Sequence, residues 1–127
     1  MEVNSFENLE VWQIGRDLVI KVYMLTASLP QSEAFGLIAQ IKRAVLSVPA
    51  NIAEGFGRYH YMDKARFYLN ARGSLYELKS HLLIVQDLMY LKRSQPVADV
   101  LTLVDNLSVK LNNLITTTRK LKTEESQ

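Results

Sequence analysis

Cysteine is absent from the 127-residue sequence, which excludes disulfides, thiolate zinc sites, iron–sulfur clusters and a cysteine nucleophile together. Histidine is scarce: His60 and His81 stand alone, and neither belongs to the Glu-x-x-His spacing from which di-iron bundles are built. Ser47 and Ser74 have no neighbouring base to activate them, and no glycine-rich phosphate loop occurs. A non-enzymatic chain without metal or other cofactor is therefore expected. No run of about 20 apolar residues is present, and Glu2 and Glu7 do not suit a signal peptide. These features lead us to expect a cytoplasmic protein that does not enter a membrane. Glycine and proline are also few, at five and three residues, which favours long uninterrupted helices. The charge imbalance is small, at +2 with a pI near 8.9, and permits a nucleic-acid partner without demanding one.

What is present is helical periodicity. Val11, Ile14, Leu18, Val22, Leu25 and Leu29 recur at steps of three and four, with a second row at Trp12, Val19, Tyr23 and Thr26 beside them. Pro30 ends this segment, and Ser32 is placed to cap the next. Ile38, Ile41, Val45, Val48, Ile52 and Phe56 form the second stripe. The third carries Phe67, Ala71, Ser74, Leu75, Leu78, Leu82, Val85 and Met89, with Gly73 expected to allow close approach of a neighbouring backbone. A further line at intervals of seven, Leu69, Tyr76, Leu83 and Tyr90, lies outside that stripe and suggests a packing seam. Ser94 and Pro96 open the fourth segment, whose stripe is Val97, Val100, Val104, Leu107, Leu111, Ile115 and Thr118.

The pattern predicts one domain over residues 1–127, with helices near 9–29, 33–59, 63–91 and 95–121 and a frayed tail. The expected fold class is all-α, an antiparallel up-down-up-down four-helix bundle. The surplus apolar rows predict self-association, with Leu69, Tyr76, Leu83, Tyr90, Trp12 and Tyr23 as candidate interface residues.

One segment departs from simple periodicity. Pro49 interrupts the second stripe, where proline removes a backbone hydrogen bond at a cost of about 3 kcal/mol, so a kink is expected there. On the opposite face, Arg43, Ser47, Asn51, Glu54 and Arg58 form a polar row, and Gly55 and Gly57 loosen its end. The row fits two roles. Its arginine forks suit phosphates, and its spacing equally suits a structural network: Glu54 with Arg58, Arg43 with a neighbouring helix or subunit, Asn51 on the carbonyl freed by Pro49.

The run from Ser47 to Arg58, together with Leu9-Glu10-Val11-Trp12-Gln13, Gly36-Leu37, Gln40-Ile41-Lys42-Arg43-Ala44, Phe67, Gly73-Ser74-Leu75 and Glu77-Leu78, resembles the four-helix bundle family also called 23S ribosomal RNA intervening-sequence proteins. The resemblance spans roughly residues 6–118. It implies a left-handed antiparallel bundle that assembles into a pentameric ring, with Pro49, Asn51, Glu54, Gly55 and Gly73 as structural motif positions. Founding members look like products of reading frames within bacterial large-subunit ribosomal RNA genes, and no catalytic activity is assigned to the family. A related branch, the accessory variability proteins of diversity-generating retroelements, binds nucleic acid and a reverse transcriptase through basic surfaces.

The expected function is thus a homo-oligomeric scaffold that binds RNA, with a purely protein-binding scaffold as the alternative. Lys42, Arg43, Asn51, Arg58, Lys64 and Arg66 are the leading candidates for RNA contact. Arg72, Lys79, Arg119, Lys120 and Lys122 extend the surface, and Tyr59 and Tyr61 are available to stack on bases.

Overall fold

The computed structural model describes residues 5–126, with side chains through Leu121. Four helices, α1 (Glu10–Thr26), α2 (Leu37–Phe56), α3 (Tyr61–Leu88) and α4 (Gln95–Ser126), make an all-α fold with no strand among the described residues. Short 3-10 turns at Phe6–Asn8 and Gln31–Glu33 precede α1 and α2. Each helix packs on its neighbour in sequence, and α1 also packs on α4. The pairs α1/α3 and α2/α4 make no such contact among the described residues, the arrangement of a helical bundle.

The core is made by the four stripes. Leu18, Val22, Ile41, Val45, Val48, Ile52, Leu75, Leu78, Leu82, Leu107 and Leu111 are all but inaccessible. Each such side chain contributes about 1.5–3 kcal/mol relative to an exposed one. Thr26 and Thr118 join the core without leaving a polar group stranded. The Thr26 hydroxyl donates to the Tyr23 carbonyl at 2.9 Å and that of Thr118 to the Leu114 carbonyl at 2.7 Å, which satisfies both oxygens locally.

Pro49 lies inside α2, which continues on both sides of it. Gly15 of α1 faces the proline ring: a Cβ built at Gly15 would sit 3.4 Å from Pro49 Cβ. Gly55 is tighter still, since a Cβ there would lie 2.8 Å from Tyr68 Cε1. The expected close approach at Gly73 is not found: a Cβ at that position meets nothing within 4 Å. Gly73 faces outward because Ala71, Leu75 and Leu78 already define the inward stripe of α3.

The helix ends differ in detail from the sequence expectation. Ser32 falls in the 3-10 turn, and Gly36 occupies the cap of α2 without a side-chain bond. Met89, expected in the core, is 84% exposed. It adopts the left-handed conformation, φ 56°, that terminates α3, a common way to end a helix. Phe67 and Ser74 are half-buried, and Tyr68 takes the inward place next to Phe67. Ser94 does stand at the start of α4, its carbonyl accepting from the Ala98 amide at 3.1 Å. The backbone of α4 is helical beyond 121; the tail side chains, Lys122 among them, lie outside the described residues.

Candidate nucleic-acid interface

The polar row of α2 is divided by the fold into separate local networks. Arg43 donates to Glu77 of α3 and, through Nε, to Gln40 Oε1 at 3.1 Å. Glu77 also contacts His81 Nε2 at 3.1 Å, so a carboxylate from the adjacent helix holds two basic side chains. Asn51 Nδ2 donates to the Ser47 carbonyl at 2.8 Å, and Ser47 Oγ to that of Ala44 at 2.8 Å. The carbonyl that Pro49 deprives of its amide donor is that of Val45, four residues back. Asn51 therefore braces the turn around the proline and does not replace the missing bond, contrary to the role expected for it.

Farther along, Arg58 bridges Glu54 at 2.9 Å. Arg43 lies about 20 Å along the axis from Phe56, the last residue of α2, at about 1.5 Å per residue, and Arg58 follows beyond that end, so one small ligand does not engage both. Lys42 points elsewhere again, toward α1, with its ammonium 4.8 Å from the Tyr23 ring centroid.

Three of the candidate cations do converge, at the corner where α2 gives way to α3. The Arg58 and Arg66 guanidinium carbons each lie 4.5 Å from the Phe67 ring centroid, which keeps both side chains extended over one ring. Arg66 also lies 3.6 Å from Asp63. Lys64 Nζ donates to the Phe56 carbonyl at 2.6 Å, and partial burial draws its pKa below the ordinary lysine value. Tyr59 stands 85% exposed in the connection, edge-on to His60 at 4.9 Å. The two carboxylates at the corner, Glu54 and Asp63, hold the arginines in place while leaving three cations against two anions. Glu54 and Arg58 were legible as an i,i+4 pair; the shared Phe67 ring was not, because nothing in the sequence marks Phe67 as lying between two arginines.

The remaining basic candidates are distributed. Arg72 donates to Asn112 Oδ1 at 3.2 Å and Lys79 to Asp105 at 2.8 Å. Among the candidate interface residues, Tyr76 and Leu83 are 53% and 43% exposed. Leu69, Tyr90 and Trp12 are partly buried against the chain's own core. No group of three His, Asp or Glu able to hold a metal occurs among the described residues, and none of their helices is long and apolar enough to cross a membrane.

Fold and surface together define a small all-α helical-bundle protein with a basic, aromatic corner. A family model described as 23S rRNA-intervening sequence protein matches residues 7–113, and the chain belongs to that family. No curated protein matches it significantly.

Proposed function

We propose that this chain is a non-enzymatic, cytoplasmic scaffold that binds structured RNA through the α2–α3 corner and works as a homo-oligomer. The observation that carries the reading is the grouping of Arg58, Lys64 and Arg66 at the corner whose connection carries the exposed ring of Tyr59, next to Arg58 in the chain. Cations that track phosphates next to a ring that stacks on a base are what single-stranded or looped RNA requires. The family description, which names 23S rRNA, agrees with this class of partner. In the proposed assembly the bundle is antiparallel, α2 bends at Pro49 and five copies form a ring. Repetition of a modest corner in each copy raises avidity without any new contact.

The test is binding to a structured ribosomal RNA fragment across a salt series. Affinity is expected to fall steeply with salt through counterion release, with Arg58→Ala/Arg66→Ala flattening the slope by about one per lost phosphate contact. Arg43→Ala, which removes a cation tied to Glu77, is expected to leave affinity within about twofold. Salt-independent binding, or equal loss from Arg43→Ala, would sink the corner assignment.

A protein-binding scaffold without RNA affinity is the second reading, favoured by the outward face of α3. Met62, Tyr76 and Leu83 are exposed there and Gly73 opens onto empty space. Stable assembly with no RNA binding at low salt would select it. A nucleic-acid enzyme is one protein partner that such a scaffold would serve.

A further inference from the structure

A cavity of about 660 Å³ opens at the far end of α3 from the corner, between α1, the α3–α4 turn and the start of α4. The length of α3, about 42 Å for its 28 residues, separates the two places. The cavity volume falls within the range of about 300–1,000 Å³ usual for small-molecule sites.

Its chemistry is divided. Leu25 and Val100, both core residues, close the floor, and Met24 and Pro96 add apolar surface. Tyr90 supplies a ring whose hydroxyl is tied to Glu33 at 3.3 Å. The rim carries Lys21, Lys92 and Arg93. None of these three has a hydrogen bond, ion pair or ring contact among the described residues, whereas ion pairs, hydrogen bonds or aromatic rings engage the other described lysines and arginines, Lys120 excepted. Against these three cations the lining has one carboxylate, Asp99. Its Oδ1 accepts from Gln95 at 2.7 Å, and no bond to its other oxygen is made within the described residues. Like charges gathered without partners repel one another, and a bound anion relieves that repulsion.

We propose that this cavity is a ribonucleotide site. The phosphate sits at the Lys21, Lys92 and Arg93 rim, the base packs on the Tyr90, Met24 and Pro96 surface, and Asp99 accepts from a ribose hydroxyl, as acidic residues do in dinucleotide sites. An extended acyl chain is a poorer fit, because its single carboxylate answers only part of a rim that carries three cations. The site goes beyond the RNA reading and stands without it, since the nucleotide is either free or the phosphorylated end of an RNA strand.

The test is titration of the full chain, followed by amide chemical shifts, with AMP and UMP, adenosine, inorganic phosphate, octanoate, and a short oligoribonucleotide with or without a 5′-phosphate. Mononucleotides are expected to shift the amides of α1 near Lys21 and of the Tyr90 to Pro96 turn. Adenosine and phosphate are expected to bind at least tenfold more weakly. Lys92→Ala/Arg93→Ala is expected to weaken binding at least tenfold, and Ser28→Trp, at an exposed lining position, to abolish it by filling the cavity. Both variants alter exposed residues, so native shifts elsewhere will show that they fold. Asp99→Asn is expected to reduce preference for ribo- over deoxynucleotides. Mononucleotide binding without oligonucleotide binding supports a free nucleotide as the source. A 5′-phosphate-dependent oligonucleotide response lost in Ser28→Trp supports a strand end. Equal binding of AMP and adenosine, tighter binding of octanoate, or no mononucleotide response at millimolar concentration overturns the site. None of these outcomes depends on the α2–α3 corner, whose own variants are Arg58→Ala and Arg66→Ala.

Discussion

Gly55 and Gly73 share a residue type and have opposite meanings. At Gly55 a methyl group would meet Tyr68 Cε1 at 2.8 Å and Phe67 Cβ at 3.0 Å, so one helix must move away from the other. Gly55→Ala is expected to destabilise the chain by about 1–3 kcal/mol, the usual cost of overpacking. Gly73 is helical, outward-facing and unobstructed. Gly73→Ala is expected to stabilise the monomer by about 0.5–1 kcal/mol by reducing the freedom of the unfolded chain. Urea denaturation of the two variants beside the parent chain checks both signs. A loss of stability at Gly73 comparable with that at Gly55 would mean that something outside the single chain covers it.

At the scale of the elements, the seam between α2 and α3 depends on Tyr68, only 3% exposed, lying against Gly55. Burial pushes its phenol up to about 12 from the ordinary 10.0. The unfolded chain releases that proton near pH 10 while the folded chain retains it, so stability is full below pH 10 and declines as pH rises toward 12. At about 1.4 kcal/mol per pKa step, the decline attributable to Tyr68 is about 2–3 kcal/mol. Tyr68→Phe is expected to remove that part of the alkaline loss, of which about half, roughly 1.4 kcal/mol, has accrued by pH 11 and is read as the difference in unfolding free energy between pH 9 and pH 11. The inward stripes were legible because each repeats a 3.6-residue period over several turns; α4 follows its predicted stripe from Val97 to Thr118. Helix ends were less legible. Gly36 caps α2 and Met89 closes α3 through backbone conformation, for which neither residue carries a strong sequence signal. The polar row was legible as a row but not as three networks, because its partners, Glu77, Phe67 and the Ala44 and Ser47 carbonyls, come from elsewhere in the chain or from backbone.

Across the whole molecule, exposed ion pairs link neighbouring helices: Arg43 to Glu77, Lys79 to Asp105 at 2.8 Å, and Lys110 to Glu10 at 2.6 Å. Such pairs contribute at most about 1 kcal/mol each, so the bundle is held by its core and the pairs bias which helices sit side by side. In the assembly proposed above, the outward face of α3 is the contact surface to test. Leu69 is partly buried in its own bundle, so charge placed there confuses folding with association, whereas Leu83 is exposed. Leu83→Glu is expected to yield smaller species with unchanged helicity, measured by light scattering and circular dichroism. An unchanged assembly size would remove this face from the interface.

Trp12, the sole tryptophan, packs edge-on against Phe6 at 5.1 Å with the Arg16 guanidinium 5.1 Å from its ring. It therefore acts as a built-in optical reporter for the first turn of α1. Met24 lies about 18 Å farther along that helix, so a ligand seated beside it leaves the emission nearly silent, whereas detachment of α1 from the bundle changes its colour.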